Sequence, residues 1–221
     1  MDRRKAWLVA LLSATAGAVD VIGFQRLGLF TAHITGNLVV LAAEAVSGGP
    51  LRRLQILAIP VFIFAVAGTW GFARTLGRRG AAVVRPLLVV QCLLIAGVLL
   101  TSVIGRDNAG QAGAVQGIAG MLAVSAMACQ FAMLHVALPR VPSTAVMTGN
   151  LTQIVLSALD VASARQSNNG ARVQLAAAGR SFVGFFLGCT TGALAVIWLE
   201  RWAWSVPVAM AVSAALTPVE R

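Results

Sequence analysis

Apolar residues fill long stretches of this chain, and charged residues are confined to the short segments between them. Eight stretches contain no Asp, Glu, Lys or Arg: 6–19, 27–43, 54–73, 86–105, 108–139, 141–159, 181–199 and 202–219. Several reach the roughly 20 residues that a helix needs to cross about 30 Å of hydrocarbon. They lack the alternation of barrel strands, and backbone groups in lipid must bond within their own segment. The pattern predicts an all-α, polytopic membrane helix bundle.

The tetrapeptide Thr-Gly-Asn-Leu occurs twice, beginning at Thr35 and again at Thr148, each time between apolar flanks. Aligning the two sites places Asp20 opposite Gln130 when about three residues are added in the second loop. Downstream segments rich in small residues also match. This repetition predicts two copies of one structural unit, with chance similarity of common membrane residues as the alternative.

The positions of Lys and Arg predict the membrane topology, that is, which apolar runs cross and on which side each loop lies. If all eight runs cross, the basic residues divide 10 to 7 between the two sides; if the two Thr-Gly-Asn segments enter and return on one side, they divide 12 to 5. The second arrangement fits the positive-inside bias better. It predicts about six crossings plus two re-entrant or broken helices, with the copies in opposite orientation as in many transporters. We expect one membrane domain over 1–221, with inverted repeats at about 6–105 and 113–219 and a cytoplasmic N-terminus.

Charge and cysteine content narrow the function classes. The net charge of +10 comes from basic residues lying between apolar runs, as in 74–85, which is typical of loops facing anionic lipid and not of a nucleic-acid-binding face. The three Cys have no pairing or metal-ligand spacing, and no nucleotide-binding or hydrolase motif is present. We expect no nucleic-acid partner, no metal, no cofactor and no enzymatic activity. The lipid bilayer and a small solute are the expected partners, and a homo-oligomer stays open.

The repeated segment offers groups suited to binding a solute. At the start of a half-helix it aims several unpaired N–H groups, with partial positive charge, at an anion or another acceptor. In lipid such groups must be buried in protein or face a wet cavity. We expect a midplane polar site formed by Asp20, His33, Thr35, Gly36, Asn37, Gln130, Thr148, Gly149 and Asn150. The alternative is a close helix contact through the two glycines, with each asparagine bonding a neighbouring helix.

Asp20 is the only acidic residue between Lys5 and Arg26, and an ionisable group inside a membrane indicates either a function or a partner. A proton relay or cation ligand is one interpretation, and an ion pair with Arg26 is the other. His33 is a candidate proton shuttle or gate, or else a buried histidine bonded to a backbone carbonyl. Gln130 keeps the polarity of Asp20 without its charge, so the two halves are expected to differ chemically.

The stretches Ala16–Ala42 and Val141–Asp160 together resemble the YoaK family of bacterial inner-membrane proteins of unknown function. The pattern GxxDxxGF…LGxFTAHxTGN is matched by Gly17, Asp20, Gly23, Phe24, Leu27, Gly28, Phe30, Thr31, Ala32, His33, Thr35, Gly36 and Asn37. The resemblance implies a multi-pass protein of the bacterial inner membrane and implies no particular activity. Where the family tends to have Gln-Asn in the second copy, this chain has Gln130 followed by Phe131.

A duplicated polar motif inside apolar runs favours a small-solute transporter or channel, with Asp20 or His33 as the proton-coupling group. Two alternatives stay open. One is an intramembrane enzyme acting on a lipid or isoprenoid, with Asp20 and His33 as acid and base. The other is an accessory or structural subunit in which the motif only packs helices.

Overall fold

The computed structural model describes residues 3–48, 53–76, 81–104, 112–138, 141–163 and 169–218. All regular structure within these ranges is helical, which confirms the predicted all-α bundle. The helices are α1 (Arg3–Leu27), α2 (Ile34–Ser47), α3 (Arg53–Thr75), α4 (Ala81–Ile104), α5 (Ala112–Ala137), α6 (Met147–Ala162), α7 (Asn169–Trp198) and α8 (Ser205–Leu216), with one 3₁₀ turn at Glu200–Trp202.

Five of the described helices, α1, α3, α4, α5 and α7, are long and apolar enough to cross a membrane. The other three have 14 residues in α2, 16 in α6 and 12 in α8. At 1.5 Å per residue these three are about 21, 24 and 18 Å long, less than the roughly 30 Å of a hydrocarbon core. The sequence predicted about six crossings, and the run expected to form the sixth folds as α8, which is too short to span alone.

The outward faces of the long helices carry large apolar side chains. Phe64 of α3, Leu93 of α4 and Phe186 of α7 are 75%, 66% and 63% exposed. A water-soluble monomer rarely exposes apolar surface so continuously, whereas lipid is a suitable neighbour for it. The chain is therefore a helical membrane protein.

Helices α1 and α7 run parallel and pack through small residues. Three glycines of α7 face three alanines of α1, each pair one turn further along: Gly184 with Ala10, Gly188 with Ala14 and Gly192 with Ala18. A Cβ atom on Gly184 would lie 2.6 Å from the carbonyl oxygen of Ala10, so only glycine lets the two backbones come this close. This contact joins the first predicted repeat to the second.

Helices α1 and α5, the first helices of the two predicted repeats, run antiparallel. Gln130 of α5 donates to the main-chain oxygen of Leu12, in the first half of α1. At the other end of α1, the Leu27 side chain lies against Gly120, which is earlier in α5. Each helix thus passes the other in the reverse direction.

Helix α3 runs in the same direction as α5 and therefore opposite to α1. Leu54 at the start of α3 reaches Gly117, and Phe62 stacks edge-on against Phe131 further along both helices. Because α1 and α3 run in opposite directions, α2 between them adds no net crossing. The same holds for α6, which lies between the antiparallel helices α5 and α7.

Candidate functional site

The two Thr-Gly-Asn segments form the first turns of α2 and α6, two of the three short helices. His33 and Val146 hold the equivalent positions just before these helices, and neither side chain makes a capping hydrogen bond. The sequence predicted a half-helix starting at each motif, and both helices begin one residue before the motif's threonine. The Thr and Asn of each motif lie inside the first turn and are not the N-cap residues of these helices.

The asparagine of each motif bonds backward to the preceding loop. Asn37 Nδ2 donates to the carbonyl oxygen of Phe30 at 2.7 Å, and its Oδ1 accepts from the Phe30 N–H at 3.0 Å. Asn150 Nδ2 donates to the carbonyl oxygen of Ser143 at 2.6 Å, again seven residues earlier. Both asparagines are buried. The asparagine of each motif therefore fastens the loop that precedes its half-helix. We call these the fold-back loops, residues 28–33 before α2 and 141–146 before α6.

Replacing Asn37 with Ala should destabilise the fold. The change leaves the partly buried N–H and C=O of Phe30 without their partners, which is expected to cost about 2 kcal/mol. Thermal unfolding of the purified protein in detergent measures the loss. Thr35→Ala, at an exposed position in the same turn, is the matched control and should unfold like the parent. Equal unfolding temperatures for both variants would contradict the fastening role.

Asp20 is buried in α1 at the level where the chain enters α2. Its Oδ1 accepts the main-chain N–H of Thr31 at 2.7 Å and of Ala32 at 2.9 Å, together with the Thr31 hydroxyl at 3.2 Å. Its Oδ2 lies 2.6 Å from Nδ1 of His33. The predicted alternative of an ion pair with Arg26 is wrong, because Arg26 donates to a main-chain carbonyl of α7 instead. The carboxylate thus holds the fold-back loop with one oxygen and meets the imidazole with the other.

His33 lies between the two predicted repeats. Its ring packs edge-on against Phe185 of α7, with the ring centres 5.6 Å apart. The main-chain carbonyl of Ala145, in the loop before α6, also lies within interaction range of the imidazole. The His33 side chain is 39% exposed, whereas that of Asp20 is 7% exposed. His33 is therefore the accessible member of an otherwise buried pair.

Gln130 contacts the threonine of the second repeat that corresponds to Thr31, the threonine that Asp20 contacts in the first. Its Nε2 donates to Thr144 Oγ1 at 2.7 Å, and Thr144 stands where the first repeat has Thr31. Its Oε1 accepts from Nε2 of Gln91 at 2.6 Å. This geometry matches the alignment of Asp20 with Gln130. An uncharged amide performs in one copy the loop-holding task that a carboxylate performs in the other.

The two fold-back loops meet near the middle of the bundle. Ala32 and Ala145 are buried in one apolar cluster together with Ala16, close to the midpoint of α1. Gln130 contacts α1 at Leu12, about 12 Å along the helix from Asp20. The charged centre of the first copy and the amide centre of the second therefore flank this meeting point.

The remaining candidate residues lie nearer the surface. Thr35, Thr148 and Gly149 are exposed, and Gly36 is half-buried. The atoms closest to a Cβ on Gly36 belong to the Phe30 ring, and no atom lies within 4 Å of one on Gly149. Neither glycine makes the close helix contact that the alternative interpretation required.

A cavity of about 1000 Å³ opens beside the second half-helix. Asn150 and Gly149 line it, and Lys5 of α1 lies at its edge. Gln153 and Gln174 face it as well, with their amides 3.2 Å apart. The second repeat thus presents amides, and α1 presents one cation, to an opening on the side where α1 begins.

Three contributors to this arrangement were not among the predicted site residues: Thr31, Thr144 and Phe185. The two threonines carried a readable signal, because Thr-Ala precedes each Thr-Gly-Asn motif by the same distance, as Thr31-Ala32 and Thr144-Ala145. Phe185 reaches His33 only because α7 packs against α1, and no local sequence pattern predicts that packing. In the described ranges, no three His, Cys, Asp or Glu residues are grouped as metal ligands.

Comparison with known proteins identifies the family of the chain but assigns no activity. No curated protein and no solved structure matches the chain. A family profile matches residues 8–217, a range that includes every polar contact described above. The chain belongs to the family described as "Protein of unknown function (DUF1275)".

Proposed function

We propose that this protein is a small-solute transporter or channel in which the Asp20–His33 pair takes up and releases a proton. The observation that carries the proposal is the position of this pair, 2.6 Å between Oδ2 and Nδ1, where the loops of the two half-helices meet. Ionisable groups inside a membrane are costly, and they mark proton relays and solute pathways in many membrane proteins.

The comparison of the two repeats indicates that the charge of Asp20 has more than a structural task. Gln130 holds its loop through Thr144 with an uncharged amide. If holding Thr31 were all that was needed, an amide would be sufficient in the first repeat as well. A carboxylate facing a half-accessible imidazole forms a pair of ionisable groups that can share and pass on a proton.

The helix directions support an inverted repeat. Helices α1 and α5 run antiparallel, and corresponding pairs pack together: α1 with α7 as α5 with α3, and α1 with α8 as α5 with α4. Interrupted helices that meet between inverted repeats form the solute site in many transporters. The Lys and Arg distribution and the resemblance of Ala16–Ala42 to the YoaK family support a bacterial inner-membrane location with the N-terminus in the cytoplasm.

The cavity beside α6 supports a polar or anionic solute. Its amide groups offer both donors and acceptors, and Lys5 adds a positive charge at the edge. The first turn of α6 contributes partial positive charge as well. A solute that enters from the side where α1 begins would therefore meet Asn150 before it reaches the loops and His33.

The bonding of Asn37 favours a second candidate function, that of a structural or accessory membrane subunit. Both polar atoms of its amide bond the main chain of Phe30 and the side chain is fully buried, so it does not face a solute. In that case the motif stabilises the fold, and the protein moves neither protons nor solutes.

Proton movement in proteoliposomes distinguishes the two functions. A pH-sensitive dye is enclosed, and chloride, acetate or phosphate is added outside. We expect the parent protein to give proton movement that depends on one of these anions, and Asp20→Asn to abolish it. The variant should fold normally, because the asparagine oxygen still accepts from Thr31 and Ala32. Asp160→Asn, at an exposed position in α6, is the control and should behave like the parent.

Three results would contradict the proton-exchange proposal. One is that no proton movement accompanies any of the anions in the parent. Another is that Asp20→Asn moves protons as the parent does. The last is equal loss in Asp20→Asn and Asp160→Asn, which would indicate general damage. In addition, unchanged anion flux in a folded Asn37→Ala, Asn150→Ala double variant would remove both asparagines from the solute site.

A further inference from the structure

A groove of about 1480 Å³ lies between the start of α1, the first half of α7 and the end of α8. Its lining residues are distinct from those around Asp20 and His33. Three arginines line it, Arg3 and Arg4 of α1 and Arg180 of α7. Most of its other lining side chains are apolar, and none of the described lining residues is acidic. The groove therefore joins positive charge to an apolar wall.

The charged and apolar parts lie at different depths. Since α1 and α7 run parallel, with Ala10 level with Gly184, Arg180 lies level with the start of α1 and its arginines. Along α7, Val183 and Leu187 follow Arg180 by one and two turns, so Leu187 lies about 10 Å deeper in the bundle. The groove has a cationic mouth at the end of the helices and an apolar shaft that runs inward.

Trp7 marks the level of the mouth. It lines the groove one turn after Arg3 and is 62% exposed. Tryptophan concentrates where lipid headgroups meet hydrocarbon. The arginines thus lie at headgroup depth, and the shaft lies at acyl-chain depth. By the distribution of basic residues this end of the bundle is the cytoplasmic one.

We propose that this groove binds an anionic phospholipid, with the phosphate at the arginines and one acyl chain against Val183 and Leu187. Charge and shape both select this occupant. A zwitterionic lipid brings a positive charge of its own to a mouth lined by arginines. A free anion gains nothing from the apolar shaft, and an apolar partner helix would offer no acceptor to the charges of Arg3 and Arg180.

Lipid titration of the detergent-purified protein tests the proposal. Bound lipid is counted by native mass spectrometry, and thermal unfolding is followed in parallel, with phosphatidylglycerol and phosphatidylcholine of the same chains. We expect phosphatidylglycerol to bind the parent more tightly. Arg180→Gln should weaken its binding by roughly fivefold, the effect of about 1 kcal/mol per basic residue near a lipid surface. Phosphatidylcholine binding should not change.

Arg172→Gln is the matched control, because it removes the same charge from an exposed position on α7 outside the groove. It should bind phosphatidylglycerol as the parent does. Val183→Trp fills the shaft while keeping every arginine, and it should weaken binding as well.

Equal weakening by Arg172→Gln and Arg180→Gln would overturn the proposal in favour of general charge attraction. Unchanged binding in Val183→Trp would overturn the acyl-chain position. Stabilisation by inorganic phosphate alone, equal to that by phosphatidylglycerol, would identify a free-anion site instead. None of these outcomes depends on whether the protein transports a solute.

Discussion

Replacing Gly188 with Leu is expected to prevent the bundle from assembling. A Cβ atom at this position would overlap the carbonyl oxygen of Ala14, so any side chain forces α1 and α7 apart. The neighbouring contacts are slightly less tight, with a Cβ on Gly184 2.6 Å from Ala10 O and one on Gly192 2.9 Å from Ala18 Cα. Overpacking against main-chain atoms costs about 3 kcal/mol or more, because backbone cannot move aside as a side chain can.

Single alanine substitutions give a graded version of this test. The unfolding temperature in detergent should fall most for Gly188→Ala, less for Gly184→Ala and least for Gly192→Ala. Gly68→Leu in α3 is the control, since no atom lies within 4 Å of a Cβ there. A folded, monodisperse Gly188→Leu protein on size-exclusion chromatography would mean that α1 and α7 do not pack as described.

Replacing Gln130 with Leu is the second change with a large expected effect. Gln130 accepts from Gln91 and donates to Thr144, and all three side chains are buried. The Oε1 atom of Gln91 already has no hydrogen-bond partner, so the substitution would leave its whole amide unpaired. Each unpaired buried polar group costs about 1 to 3 kcal/mol, and more where no water can reach it. We expect a loss of about 3 kcal/mol or more.

Chemical or thermal unfolding in detergent measures this loss. Gln116→Leu, at an exposed position on the same helix, is the control and should leave stability unchanged or raise it in a lipid environment. If the two leucine variants unfold alike, the amide contacts of Gln130 do not hold the second loop. A Gln91→Leu, Gln130→Leu double variant should recover part of the stability, because it removes both partners together.

The half-helices were predictable from sequence because their signals are local. A motif of Thr, Gly and Asn between apolar residues marks an interruption, and both short helices start at it. The correspondence of Asp20 with Gln130 could also be predicted, because residues at equivalent positions of a duplicated unit make equivalent contacts. The contact of each residue with the threonine of its own loop, Thr31 or Thr144, agrees with it.

The partner of Asp20 could not be predicted from the sequence, because it depends on how far the chain folds back after α1. Helix α1 continues for two turns beyond Asp20, and the loop then returns to bring His33 beside the carboxylate. Counting along the sequence offered Arg26 as one of two interpretations; it is closer in the chain than His33 but lies at the helix end. The glycines of α7 were visible as a four-residue repeat, yet nothing local indicates that they meet the alanines of α1.

The parallel contact of α1 with α7 has a consequence for biosynthesis. The side chain of Arg26 bonds a carbonyl that follows it by 170 positions, so the principal neighbour of α1 is synthesised long after α1 itself. At typical ribosome speeds the first helix waits on the order of ten seconds in the lipid before its neighbour emerges. During that time the face of α1 with Ala10, Ala14 and Ala18 has no helix packed on it. A chain truncated before residue 169 would lack α7 and leave this face uncovered.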